Sequence, residues 1–102
     1  MTRIVVSSAA DADMAEILAY LLRKAGRATA VKYNALFEAL YDGLAEHPDR
    51  GPPRPALGPH IRIGIVPPYI VIYEHEEGAE ELTVLRIVHR RRKITGRLLS
   101  QP

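Results

Sequence analysis

The residues with the most chemistry lie near the end of the chain, in LRIVHRRRKITGR (residues 85–97). An apolar half runs into His89, Arg90, Arg91, Arg92 and Lys93, and Arg97 follows four positions later. Metal-free RNA cleavage needs a base for the 2′-hydroxyl, an acid for the leaving oxygen and cations for the crowded phosphate. His89 with Arg86 and Arg91 has the right types for such a site, with Arg62, Glu74 and His75 as further candidates. An imidazole titrates near neutrality, which suits either proton transfer. The same run is also a docking surface, because consecutive cations attract an acidic partner or hold phosphates without reading bases. Arg86 stands apart. It interrupts an otherwise apolar strand, where an unpaired charge is costly, so a carboxylate or solvent must meet it. A structural ion pair and a site are both open for it.

Other chemistry is absent. There is no Walker loop, GxGxxG, GxSxG or HExxH. The four histidines, at 47, 60, 75 and 89, are 13 to 15 residues apart, which is no metal-ligand spacing on one element. No metal and no cofactor are expected. With no cysteine among 102 residues, disulfides and thiolate nucleophiles are excluded, and a reducing cytoplasm fits. No apolar run approaches the roughly 20 residues of a membrane span. MTRIVVSSAADAD has one arginine, a very short apolar run and early acids, unlike a secretory leader. The net charge is only +2, but it is unevenly placed. From Leu82 onward there are six Lys or Arg residues and no acid, whereas EHEEGAEE just before it holds five glutamates. The acidic stretch reads as a solvated hairpin tip.

The elements that must carry these groups follow from periodicity. RIVVS (3–7) reads as a short strand. Ser8 stands where a helix N-cap belongs, with Asp11 and Asp13 in the first turns. A helix over 9–25 places Met14, Ile17, Leu18 and Leu21 on one stripe and stops at Gly26. A second helix over 28–47 carries Tyr33, Leu36, Phe37, Leu40 and Leu44, and Pro48 ends it. The two form a hairpin whose stripe must lie on something else. HPDRGPPRPALGPH (47–60) is a loop of restricted freedom. IRIGIV (61–66), YIVIYEH (69–75) and LTVLRIVH (82–89) read as three strands joined by short turns, an antiparallel meander. The last two are apolar on both faces, as central strands are. Tyr69 and Tyr73 share a strand face and read as packing residues rather than stacking platforms for bases. Beyond Lys93 the chain forms one weak helical turn or stays loose. The expectation is one α+β domain over 1–102, ordered β-α-α-β-β-β, an antiparallel sheet with an N-terminal helical hairpin on one face. Residues 89–102 form its basic C-terminal segment.

The ordered set IVVSSAADADMAEI, AVKYNALFEALYDGLAEHPDRG, GPHIRIGIVPPYIVIYEH and LTVLRIVHRRRK covers nearly the whole chain. It resembles the ParE branch of the RelE/ParE superfamily, the toxin halves of bacterial type II toxin–antitoxin modules that stabilise plasmids or act under stress. The RelE-like branch cleaves mRNA in the ribosome. The ParE-like branch poisons DNA gyrase and is held inactive by a ParD-like antitoxin, whose C-terminal segment wraps the toxin. RelE-like nucleases place an arginine directly after the first tyrosine of the YRxxY strand, and here Ile70 follows Tyr69. They also place a tyrosine about six residues after the post-strand arginine. Arg97 holds that position relative to Arg91, and no Tyr or Phe occurs after Tyr73. The resemblance therefore implies a cytoplasmic toxin that binds rather than cuts. Arg90, Arg91, Arg92, Lys93 and Arg97 would dock gyrase or antitoxin, and Arg62, Tyr73 and Arg86 would face the antitoxin on the sheet. A ribosome-dependent nuclease using His89, Arg86 and Arg91 is the first alternative, and a non-toxic relic that only binds antitoxin is the second.

Overall fold

In the computed structural model, residues 1–100 are described, and the last two residues of the basic segment lie outside them. Strand β1 (Arg3–Val6) leads into helix α1 (Ser8–Ala25). The N-cap is Ser7, one residue earlier than expected: its extended backbone lets the hydroxyl accept from the Ala10 N–H at 3.0 Å. That hydroxyl also donates to the Leu85 carbonyl at 2.9 Å, so the cap ties the helix start to the sheet. Gly26, at φ 93°, ends α1 and begins α2 (Arg27–Glu46), a backbone angle that favours glycine.

Three strands follow the proline-rich loop: β2 (Ile61–Val66), β3 (Tyr69–Glu74) and β4 (Glu81–His89). The sheet order is β1-β4-β3-β2, which makes β3 and β4 central, as their two apolar faces indicated. The sheet is mixed rather than wholly antiparallel, because β1 pairs with β4 in parallel. The end of α2 explains this. It returns the chain to where β1 began, with the Thr2 N–H donating to the Ala45 carbonyl at 2.8 Å. From there β2 runs the same way as β1, and two reversals bring β4 back into that direction.

The helical hairpin packs on one sheet face around Phe37, Leu44, Tyr69, Val71, Tyr73, Leu82, Val84 and Ile87. The other face is also covered, which accounts for the doubly apolar strands. There Ile61, Ile63, Ile72 and Val88 pack against Leu98, with Leu57, Ile94 and Leu99 around them. Residues 94–99 are therefore not loose. They close the back of the sheet, and Gly96–Leu99 form the short helix α3, the single helical turn of the two alternatives.

A bulge decides the facing of β4. Tyr73 pairs with Val84 but Ile72 pairs with Arg86, so Leu85 is an extra residue. Strict alternation from Leu82 and Val84 would aim Arg86 into the core beneath the helices. The extra residue turns Arg86 to the back face and gives its place under the helices to Ile87.

Candidate functional site

Arg86 is 8% exposed and fully engaged. Its Nε donates to Asp13 Oδ2 at 2.8 Å and Nη2 to Oδ1 at 3.0 Å, a two-pronged pair between α1 and β4. Nη1 donates to the Leu98 carbonyl at 3.0 Å. Asp13 Oδ2 also accepts from the Ile87 N–H at 2.9 Å. That amide lies on β4 beyond the reach of short β1, so the carboxylate substitutes for a missing strand partner. Hydrogen bonding to Asp13 raises the Arg86 pKa despite burial, and the guanidinium is charged throughout the accessible pH range. The carboxylate that Arg86 required is thus Asp13. Arg86 does not face a partner on the sheet, nor is its guanidinium free to meet a phosphate. It fastens the C-terminal segment to the body through Leu98.

The segment fastened in this way is cationic and outward. His89, Arg90, Arg91, Arg92, Lys93 and Arg97 are all exposed, whereas Leu98 is 5% exposed and Ile94 is half-buried. None of these cations joins an ion pair among the described residues. His89 Nδ1 accepts from the Arg91 N–H at 3.1 Å, which in the neutral ring places the proton on Nε2. Its ring meets Tyr69 edge-on, centroids 5.9 Å apart. Tyr33 meets Tyr69 in the same manner, also at 5.9 Å. An open pocket of about 440 Å³ lies there, lined among others by Glu16, Tyr20, Tyr33, Tyr69 and His89. Of the three nuclease candidates the structure leaves His89 and Arg91 at the surface and withdraws Arg86.

Tyr73 is likewise withdrawn from any partner. It is fully buried, and its hydroxyl accepts from the Gly51 N–H at 3.1 Å. Burial raises its pKa, with the Gly51 N–H and the nearby Arg62 charge opposing. Arg62 is half-buried and donates to the Gly51 carbonyl at 2.7 Å. Both side chains brace the HPDRG turn against the sheet rather than present themselves outward.

The same brace contains His75, which the sequence offered only as a possible site group. Its Nδ1 lies 2.8 Å from Asp49 Oδ1 and its Nε2 lies 2.9 Å from the Ala79 carbonyl. Both partners are acceptors, so both are satisfied only by the doubly protonated ring. Burial works against that charge, but the Asp49 and Ala79 hydrogen bonds outweigh it, and the His75 pKa is raised above 6.5. A folded-state pKa above the unfolded one means the native state holds the extra proton in between. The stabilisation is complete below the unfolded value and declines as pH rises through the folded one. Urea unfolding followed from about pH 6 to pH 8 is expected to show stability falling with pH. His75→Gln is expected to flatten that slope, and an unchanged slope in the variant would refute the assignment. Among the described residues no group of three His, Asp or Glu side chains is placed to hold a metal ion. No described helix is long and apolar enough to cross a membrane.

Two exposed apolar features had no single-residue signal in the sequence. On the outer side of the hairpin, Leu18, Leu22, Ala30 and Val31 line a groove of about 490 Å³, with Leu22 53% and Val31 60% exposed. At the sheet edge, the loop covers the first half of β2, with the Arg54 N–H donating to the Ile61 carbonyl and the Ile63 N–H to the Pro52 carbonyl. Beyond that the edge is uncovered and Ile65 is 51% exposed. Leu18, expected on the core stripe with Met14 and Ile17, lines the hairpin groove instead, and the groove's other apolar positions lie outside that stripe.

A family model described as the ParE toxin of the type II toxin–antitoxin system, parDE, matches residues 4–94. A solved structure, the chromosomal ParDE TA system from P. aeruginosa, is similar in fold, with a TM-score of 0.72 at 21% identity. The similarity covers 87% of this chain and 96% of that one. No curated protein sequence matches the chain.

Proposed function

The chain belongs to the ParE toxin family of type II toxin–antitoxin systems, and on that premise we propose that it acts in the cytoplasm by binding DNA gyrase and is neutralised by a ParD-like antitoxin. The observation that carries this reading is the unpaired cationic segment from Arg90 to Arg97, held out on a backbone that Arg86 and Leu98 pin to the core. Binding to a large target rewards such a surface, because side chains on an ordered backbone lose less entropy on association. The antitoxin has a different place to go. An amphipathic segment fits the apolar groove of the hairpin, and an extended one fits the β2 edge beside Ile65. An acidic tail would add attraction to the basic segment.

A supercoiling assay with the purified chain tests the target. Loss of supercoiling, or trapped cleavage complexes, is the expected result, reversed by a ParD-like antitoxin. Gyrase left untouched in both readouts would overturn the reading. Arg86, committed to Asp13, is a reason to rank ribosomal mRNA cleavage lower, since only His89 and Arg91 of its three candidate groups are at the surface. Codon-aligned mRNA ends in a translating extract would revive it. Normal growth when the chain is expressed without antitoxin would favour the non-toxic relic.

A further inference from the structure

We propose that Arg92, Lys93, Arg97 and the Thr95 hydroxyl form a phosphate grip that holds the backbone of duplex DNA. These residues, with Leu98 as the floor, line one open concavity of about 210 Å³. Thr95 precedes α3 without using its side chain as a cap, which leaves its hydroxyl free to donate to a ligand oxygen. No acidic side chain follows Glu81 in the sequence, and none of these cations is ion-paired among the described residues.

The donor set favours phosphates over protein carboxylates. Two guanidinium forks, an ammonium and a hydroxyl offer more hydrogen bonds than one planar carboxylate accepts. Duplex DNA supplies a closely spaced series of charges, about one per 1.7 Å of axis. The backbone beneath is already ordered, with Leu98 buried and its carbonyl held by Arg86 at 3.0 Å. Nothing in the segment reads base edges, so the grip is indifferent to sequence. The assignment deepens the gyrase reading and takes its setting from it: in docking on gyrase, the basic segment also contacts the DNA on which gyrase acts.

The test is fluorescence anisotropy of the full chain with a labelled DNA duplex and a scrambled duplex of the same length. Equal affinity for both is expected. Three phosphate contacts give a slope of log affinity against log salt of about −2.7, so affinity falls about 40-fold between about 50 and about 200 mM salt. The triple variant Arg92→Gln/Lys93→Gln/Arg97→Gln is expected to flatten the slope by about 2.7. Thr95→Val is expected to weaken binding about two- to tenfold at an unchanged slope, the effect of one hydrogen bond. All four side chains are exposed, and circular dichroism of the variants serves as the check on folding. No binding at low salt, or an unchanged slope in the triple variant, would overturn the proposal. So would an acidic peptide that displaces DNA as well, charge for charge, as unlabelled duplex does. The supercoiling assay remains separate: gyrase inhibition without DNA binding removes the grip and keeps the gyrase reading, and DNA binding without inhibition does the reverse.

Discussion

Asp13→Ala is expected to cost about 3–5 kcal/mol of folding stability, the usual loss when one partner of a buried ion pair is removed. Against a total of about 5–15 kcal/mol for a domain, that brings the chain close to unfolding. Asp13 and Arg86 side chains are 12% and 9% exposed, so solvent does little to screen the charge left behind. The substitution also strands the Ile87 amide, which Asp13 alone accepts at that point of the β4 edge. Arg86→Met is expected to cost less than Asp13→Ala, since it leaves a carboxylate that still accepts from Ile87. The double variant Asp13→Leu/Arg86→Met is expected to be far more stable than the sum of the two losses, because no charge is then buried alone. Urea unfolding measures all three. A loss below about 1 kcal/mol for Asp13→Ala would mean that the pair behaves as an exposed one. A second readout is local. Arg86→Met removes the bond to the Leu98 carbonyl, so trypsin is expected to cut after Arg92 and Lys93 faster than in the parent chain.

Gly51→Ala is expected to be nearly as damaging, by an unrelated route. A Cβ at this position would lie 2.2 Å from the Ile63 carbonyl oxygen and 2.6 Å from the Tyr73 hydroxyl. The first contact is with backbone of a sheet strand, which cannot swing aside as a flexible side chain would. Overpacking of this kind costs about 1–3 kcal/mol. Displacing the Tyr73 hydroxyl from the buried Gly51 N–H adds about 1–3 kcal/mol for an unsatisfied donor. Tyr73→Phe isolates the second contribution, since it removes the hydroxyl and leaves the glycine. Stability of Gly51→Ala equal to the parent would show that the HPDRG turn can leave the sheet at no cost. The turn also positions Asp49 for His75, so the pH slope assigned to His75 is expected to shrink in Gly51→Ala.

Much of the frame is legible along the chain. The stripes of Phe37 and Leu44, and of Met14 and Ile17, foretell amphipathic helices because burial repeats with the helical period. The β2, β3 and β4 runs bound their strands to within a residue or two. Their doubly apolar composition also points to β3 and β4 as central, since central strands are the most fully covered on both faces. The cation run is legible as a surface, because charge of one sign without acids has nowhere to be buried. The need for a partner at Arg86 is legible too, as an unpaired charge in an apolar strand is too costly to stand.

What the sequence by itself determined, then, is element type, the central strands, the exposed cations and the debt of one buried arginine. Only the tertiary structure decided who meets whom. Asp13 reads as a favourable acid near a helix N-terminus, and its partner is 73 positions away on a strand it does not neighbour in sequence. Parallel pairing of β1 with β4 depends on where α2 sets the chain down, which local periodicity does not encode. The bulge at Leu85 reverses the facing of Arg86, and a one-residue shift in a period-two pattern leaves no mark in composition. It is that shift, with Leu98 seated on the back of the sheet, that makes Arg86 an anchor and leaves the cations after His89 outside. Periodicity reports whether a face is buried, and long-range contact alone determines against what.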